Sequence, residues 1–268
     1  MSNMNYPSIS IIINCHNGEE YLKETINSVL SQTYQFWELI LFDNKSTDNS
    51  PTIFKSYKDK RLKYILSKYH TPLGMARNLA IQEAKYDWVA FLDADDLWDN
   101  YKLEKQMFHT KLENIGIIYC ESEIIMSKEA DSFFSRNIVK QKLKVFEGNV
   151  TNKLLIKNFI PLNSAIFLKR AFIESGGVNP SFLIAEDYDF LLKISKNYKV
   201  KFTFGVKSFY RIHQNNLSNG KYKDGYKESI KILTKYLPNP YALFSILINI
   251  GKLLYTSLIL GAKKSEKQ

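Results

Sequence analysis

Three carboxylates fall within four positions of "FLDADDLWDN": Asp93, Asp95 and Asp96, directly after an apolar lead of Trp88, Val89, Phe91 and Leu92. Like charges this close repel, and burying them uncompensated is costly, so a positive group belongs among them. Two aspartates separated by one residue at a strand end offer hard oxygen donors on one side of the chain. That donor type suits Mg²⁺ or Mn²⁺, which are commonly shared between carboxylates and substrate phosphates. The missing charge is then a divalent metal, bridging Asp95 to a diphosphate and stabilising charge on a departing nucleotide. The plain alternative is an acidic opening to the next helix, where carboxylates complement the helix dipole. The motif alone leaves both open.

The elements around the cluster favour a shared site. "ISIIIN" (9–14), "WELILF" (37–42), "LKYIL" (62–66) and "DWVAFLD" (87–93) are short β-branched or aromatic runs read as strands. Helical patterns stand between them: 18–32 with Leu22, Ile26, Val29 and Leu30 on one face, a stretch near 50–58, and 74–85 with Met75, Leu79 and Ala80 inward. This alternation predicts βαβ units and a mainly parallel sheet. Ligands of such sheets bind beyond the carboxyl ends of the strands. There the first strand carries Asn14, Cys15, His16 and Asn17, the second Asp43 and Asn44, and the fourth the acidic cluster. Beyond Leu97 the alternation breaks down. A helix is expected over 100–114, a strand at "IGIIYCE", a loop or irregular excursion over 127–148, helices at "VTNKLLIKN" and 186–197, and two short strands at "KVKFTF" and "VKSFYRIH".

With 268 residues and 45% hydrophobic content, the chain suits one domain with an appendage. The net charge of +10 favours anionic partners, but it is mostly scattered lysine, and no arginine-rich cluster with interleaved aromatics points to nucleic acid. Cys15 and Cys120 lack metal-type spacing and read as packed thiols of a reducing compartment. The polar "MSNMNYPSIS" has neither the basic nor the apolar region of a signal peptide.

Four stretches in series, "SIIINCHNGEEYLKETINSVLSQTYQFWELILFDNKSTDNS", "GMARNLAI", "FLDADDLW" and "GGVNPSFLIAEDYDFLLKI", resemble the inverting family 2 glycosyltransferases across roughly residues 8–213. The resemblance implies a GT-A (Rossmann-like) α/β fold, a mainly parallel sheet flanked by helices. It also implies a nucleoside-diphosphate sugar donor, a Mn²⁺ or Mg²⁺ cofactor, and a saccharide or lipid-linked acceptor in surface-polysaccharide synthesis, with hexosyl or hexosaminyl transfer as the reaction. By position, Asn14, His16 and Asn17 would line the nucleotide pocket, and Asp43 or Asn44 would read the base. Arg77 would meet the nucleotide or its phosphates, and Asp93 the ribose, the sugar or the metal. Asp95 would hold the metal, with Asp96 assisting and His213 approaching it. Asp187 would be the general base, with Glu186 its neighbour or substitute. Three positions depart from the family pattern: Asn14 replaces a common proline, His16 an aromatic, and Asn44 an aspartate. Asn44 both donates and accepts, so uracil does not follow automatically as the base. Each residue also has an ordinary reading: a capping histidine at 16, a surface arginine at 77, helix-start acids at 186 and 187, a structural histidine at 213.

The domain is expected over 1–220, with a helical segment over 221–268. In the latter, "YALFSILINIGKLLYTSLILGA" (241–262) is nearly long enough to span a bilayer, yet Ser245, Asn249, Lys252 and Thr256 form a polar stripe, and a basic tail follows. A helix lying in the membrane interface fits best, its apolar face around Leu243, Leu247, Ile250 and Leu254. Packing on the enzyme or in a homodimer is the alternative. The chain is therefore expected in the cytoplasm, peripheral at the inner face of the cytoplasmic membrane. A nucleotidyltransferase would want a glycine-rich phosphate loop, and "NCHNGEE" has one glycine. A nucleotide-sugar-binding subunit without activity of its own would not need both the acidic cluster and "AED".

Overall fold

The computed structural model describes residues 7–126 and 145–265, with side chains through residue 258. Its sheet begins as the sequence reading expects: β1 (Ile9–Cys15), α1 (Leu22–Leu30), β2 (Trp37–Asp43), α2 (Ser50–Ser56), β3 (Leu62–Leu66), α3 (Leu73–Gln82) and β4 (Trp88–Phe91). All four strands are parallel, in the order β3-β2-β1-β4. The chain steps outward from β1 to β3 and returns to β4 on the other side of β1. The carboxyl ends of β1 and β4 thus flank the crevice where strand order reverses.

Both faces of this half are covered, which explains the near-continuous apolar runs. Ile12, Ile40, Phe42, Val89 and Phe91 pack into one core, and Ile9, Ile11, Ile13, Leu39, Leu41 and Ala90 into the other. The polar intruder in β1, Ser10, is fully buried but satisfied: it donates to Glu38 Oε1 at 2.6 Å and accepts from the Tyr86 amide at 3.0 Å.

The second half mixes directions. After β5 (Leu97–Trp98), α4 (Lys102–Phe108) and β6 (Ile115–Met126) come α5 (Thr151–Ile156), β7 (Ile166–Leu168), α6 (Lys169–Glu174), α7 (Glu186–Ser195), β8 (Lys199–Ile212), α8 (Tyr222–Thr234) and α9 (Pro240–Ser265). The eight-stranded sheet continues β4-β7-β6-β8-β5, with β7 antiparallel to β4 and β6, and β5 antiparallel to β8. The two strands expected at 199–213 are one. Between the two expected runs, residues 204–206 bulge out between the pairs Cys120↔Thr203 and Glu121↔Lys207, and Gly205 takes φ 72°. The excursion expected over 127–148 lies outside the described residues except for its last four. Both cysteines are buried free thiols, as expected.

One helical face differs from the sequence reading, and a second can now be oriented. In α3 the inward residues are Gly74, Ala76, Arg77, Ala80 and Ile81, while Met75 is 37% exposed. Gly74 sits so close to the chain after α6 that a Cβ would lie 2.9 Å from Val178 Cγ1, which places the glycine side of the helix inward. In α9 the small and polar side packs inward: Ala242, Ser245 and Ile246 are buried, and Ser245 Oγ donates to the Ile156 carbonyl at 3.0 Å. Leu243, Leu247, Ile250 and Leu254 face outward, joined by Phe244, Tyr255 and Leu258. Of the polar stripe, Ser245 is buried and Asn249 and Thr256 are half-buried, while Lys252 stands exposed at its border and the large apolar residues form the open side. The span Pro240–Leu258 is long and apolar enough to cross a membrane by length and composition alone.

Candidate active site

A cleft of about 680 Å³ opens at the crevice between β1 and β4, and ten of the twelve singled-out residues line it: Asn14, His16, Asn17, Arg77, Asp93, Asp95, Asp96, Glu186, Asp187 and His213. Close approach of the two strand-end loops builds it. A Cβ on Gly18 would stand 3.0 Å from Cys15 Sγ and 3.1 Å from Ala94 Cβ. Asn17 makes the turn in the left-handed region (φ 54°), which asparagine tolerates. Its Oδ1 accepts from the Thr47 amide at 2.8 Å.

Arg77 joins the two halves of the cleft. It is 3% exposed; Nη2 donates to Asp93 Oδ1 at 3.0 Å and Nη1 to Glu186 Oε1 at 2.8 Å. The arginine thus bridges the end of β4 to the start of α7, 109 residues apart in sequence. Burial pushes the Glu186 carboxyl up to about 7 against the opposing pull of Arg77. Burial also raises Asp187, again against Arg77. The desolvation of both groups outweighs the helix N-terminus, which would favour the ionised form. Asp187 is half-buried; its Oδ1 accepts from the Tyr188 amide at 2.6 Å. Asn14 Nδ2, Arg77 Nε and Glu186 Oε2 are buried without a hydrogen-bond partner among the described residues. Asn14 Nδ2 is a donor left for a ligand in the cleft.

Opposite, Asp95 Oδ2 lies 2.7 Å from His213 Nε2 and 3.4 Å from Asn216 Nδ2. The Asn215 amide donates to His213 Nδ1 at 3.2 Å, which assigns the ring proton to Nε2 and makes His213 a donor to Asp95 in this arrangement. Burial, then the charge of Asp93, raise the Asp95 carboxyl. Among the described residues no group of three or more His, Cys, Asp or Glu side chains is placed to hold a metal by itself. The donor set nonetheless fits a divalent cation of the kind that one or two carboxylates share with substrate phosphates. Asp95 would hold it, with Asp93 alongside and His213 fixing the carboxylate's orientation.

Three expected site residues serve the scaffold instead. Asp96 is fully buried, with Oδ1 accepting from the Arg211 amide at 2.9 Å and Oδ2 from Asn163 Nδ2 at 2.6 Å, so both oxygens are engaged by the scaffold. Burial, with Asp93 and Asp95 adding to it, holds its carboxyl well above the usual range. Asp43, also fully buried, accepts from the Ser46 amide and from Tyr64 Oη, and does not line the cleft. Asn44 clasps Thr71: its Nδ2 donates to the Thr71 carbonyl at 2.7 Å and its Oδ1 accepts from the Thr71 amide at 3.0 Å. Neither lines the cleft. The helix-opening alternative for the acidic cluster also falls, because the cluster runs into β5, which pairs with β8, and α4 starts only at Lys102.

Several contributors were not singled out from sequence. The Asn44 carbonyl faces Nδ1 of both His16 and His70 at 3.0 Å, and the two rings pack 4.2 Å apart, His16 lining the cleft. Arg211 donates to the Asp95 carbonyl at 2.8 Å and to Glu24 at 2.7 Å, fixing the acidic turn to β8. Glu228 accepts the amides of Leu183, Ile184 and Ala185, all at 2.9 Å, just ahead of Glu186. A lone glutamate in the middle of a helix pattern gives no sequence signal for that role.

Known proteins resemble this chain in sequence and in fold. The family described as Glycosyl transferase family 2 matches residues 10–176. An Escherichia coli protein, UDP-Glc:alpha-D-GlcNAc-diphosphoundecaprenol beta-1,3-glucosyltransferase WfgD, is 31% identical over 261 residues, covering 96% of this chain and 94% of its own. The putative teichuronic acid biosynthesis glycosyltransferase TuaG of Bacillus subtilis is 38% identical over 103 residues, 38% of this chain and 41% of its own. Among solved structures, S. aureus TarS 1-349 in complex with UDP-GlcNAc superposes with a TM-score of 0.71 at 18% identity, over 86% of this chain and 67% of that one. The mannosyltransferase PcManGT of Pyrobaculum calidifontis, in complex with GDP-Man and Mn²⁺, gives 0.67 at 16% identity, over 98% and 81%. The four expected stretches, the GT-A-like sheet and these matches agree, and the chain belongs to glycosyl transferase family 2.

Proposed function

We propose that the protein is an inverting glycosyltransferase moving a hexosyl or hexosaminyl group from a nucleoside-diphosphate sugar to a lipid-linked saccharide in cell-surface polysaccharide synthesis. The observation that carries this is the Arg77 bridge, which sets Asp93 and Asp95 at the end of β4 and Asp187 at the start of α7 around one cleft. The likeness to a glucosyltransferase named for a diphosphoundecaprenol-linked acceptor supports the acceptor class.

Asn14 and the β1 turn hold the nucleotide side of the donor, and Asp93 the ribose or sugar. Asp187 takes the proton of the acceptor hydroxyl. That oxygen bonds to the anomeric carbon as the bond from this carbon to the diphosphate oxygen breaks on the opposite face, inverting the configuration. A raised carboxyl is the better base, provided the pH is high enough to ionise it. Arg77, pinned between two carboxylates, keeps Glu186 and Asp93 from repelling Asp187 out of position. A bound divalent cation at Asp95 would neutralise charge on the leaving diphosphate. Positioning, base assistance and electrostatic stabilisation supply the rate.

The outward apolar side of α9 supports attachment to the inner face of the cytoplasmic membrane, where a lipid-linked acceptor would be met. The test of the enzyme is a screen of UDP- and GDP-sugars for hydrolysis with Mn²⁺ and with EDTA. Asp95→Asn should lose the metal-dependent rate. Asp187→Asn should lose turnover while keeping donor affinity, because its contribution is made in the transition state. Full activity in EDTA sinks the metal role, and collapse of donor affinity in Asp187→Asn makes that residue a binding group.

A further inference from the structure

A second cavity, of about 410 Å³, lies behind the cleft, and the two meet at Asp187, Ile184 and Ser218. Its walls come from the chain after α5, from α8 and from α9. Three cations line it: Lys157, Lys221 and Lys252. The carboxylate in its lining is Asp187, at the junction with the cleft. Among the described residues neither Lys221 nor Lys252 forms an ion pair; the Lys252 ammonium stands 5.8 Å from the ring of Tyr226. The cavity therefore offers an excess of positive charge on one side of the candidate base, separate from the donor side.

Its other border is apolar. Ile156, Ile184 and Ile248 line it, and Ile248 is 36% exposed, one turn before Lys252 on α9. From there the open side of α9 continues through Leu247, Leu254, Tyr255 and Leu258. A single molecule meeting these surfaces in order would carry a hydroxyl at Asp187, negative charge at the lysines and hydrocarbon along α9. A cavity this size falls within the range of small-ligand sites, roughly 300–1,000 Å³. Gly225 leaves room in its wall, since a Cβ there would come within 3.3 Å of Ile184 Cγ2.

We infer that this second cavity is the acceptor subsite, and that Lys221 and Lys252, with Lys157 beside them, hold the diphosphate of a lipid-diphosphate-linked saccharide. The inference rests on the glycosyltransferase reading for the role of Asp187, but the diphosphate site itself can be tested without turnover. The acceptor sugar reaches from the lysines to Asp187, and its lipid leaves past Ile248 along α9. A saccharide lacking the diphosphate forgoes the lysine contacts, so the cavity selects lipid-linked acceptors over free ones.

The experiment measures binding of farnesyl diphosphate, farnesol and inorganic pyrophosphate to the full chain, with Mn²⁺ and excess UDP filling the donor cleft. Farnesyl diphosphate should bind best. Lys221→Ala and Lys252→Ala should each weaken it roughly tenfold, as loss of a charged hydrogen bond does, and leave farnesol unaffected. Lys→Arg at either position should restore most of the affinity. Equal affinity for farnesol and farnesyl diphosphate overturns the diphosphate site. Equal affinity for pyrophosphate overturns the lipid part. An equal loss of farnesol binding in the alanine variants makes the lysines structural and also overturns it. If lysine-dependent binding holds but no nucleotide sugar is hydrolysed by the unsubstituted protein, the enzymatic reading fails and the subsite stands; the converse sinks the subsite alone.

Discussion

Glu228 is the residue through which the position of the candidate base can be perturbed without touching it. Its carboxylate accepts three amides, from Leu183 on Oε1 and from Ile184 and Ala185 on Oε2, and Glu186 and Asp187 follow at once. Glu228→Gln keeps the shape but leaves one acceptor. With its oxygen in place of Oε2 it keeps two bonds, and its amino group then meets the Leu183 amide, donor against donor. A hydrogen bond to a charged acceptor contributes about 1.5–3 kcal/mol and a neutral one about 1 kcal/mol. One bond lost and two weakened, at a half-buried site, come to about 2 kcal/mol. Spread over the whole domain that would lower Tm by roughly 4–8 °C. The rest of α7 is anchored by Phe190, Leu191 and Leu192, all fully buried, so the loss should concentrate at the turn and the helix start. Displacing a catalytic group by about 1 Å costs on the order of a hundredfold in rate. The expected result is kcat on the lipid-linked acceptor down ten- to a hundredfold with the donor KM unchanged, and Glu228→Asp impaired as well because its shorter arm cannot span all three amides. A lower Tm with unchanged kcat would refute the reasoning and leave Glu228 a purely structural brace.

Two further outcomes follow from the same geometry. Because burial raises both Glu186, to about 7, and Asp187, kcat/KM should rise with pH along a limb well above the usual carboxylate range. Arg77 is what holds both values down, so Arg77→Gln should move that limb to still higher pH, and a limb left in place or moved down would contradict the assignment. The doubly substituted Leu247→Ser, Leu254→Ser protein should lose its hold on anionic vesicles in a sedimentation assay while keeping its fold, since both side chains are about 60% exposed; unchanged sedimentation would sink the membrane contact, and conversion of a dimer to a monomer would assign the face to a second copy.

The parallel half of the fold was legible because its information is local. Each strand there is a β-branched or aromatic run of four to seven residues, each connection is a helix pattern, and the rule for open α/β sheets then names the edge where ligands bind. The antiparallel half was not legible for the opposite reason. β5 and β7, of two and three residues, are too short to carry a period and exist only through their partners in β8, β4 and β6. The same distinction separates the site residues. Asp93, Asp95 and Asp187 can be read from spacing, because a strand end and a helix start fix where they emerge. Whether Asp43, Asn44 and Asp96 turn outward depends on Tyr64, Thr71, Asn163 and Arg211, residues up to 115 positions away, and all three are claimed inside.

The C-terminal helix presents outward the apolar residues that its sequence pattern grouped on one face, Leu243, Leu247, Ile250 and Leu254. A polar stripe on an otherwise apolar helix ordinarily marks the side facing water. In α9 the first part of that stripe faces the protein, because Ser245 finds the Ile156 carbonyl left free at the end of α5 and Asn249 returns to the Ser245 carbonyl at 2.8 Å, so small polar side chains allow a close approach to α5 and α8. The large apolar residues are then left outside, on a face whose exposed members include Leu247, Leu254 and Leu258. A contiguous apolar surface of this kind is costly in water and marks a site of contact. The lysine-lined cavity opens beside it at Ile248 and ends at Asp187. A helix that only packed on the enzyme would have no reason to present this face, and one that only touched lipid would have no reason to place Lys252 over the cavity. A polar inner side, an apolar outer side and a cation at their border are together what the proposed path of a lipid-linked diphosphate to Asp187 would require.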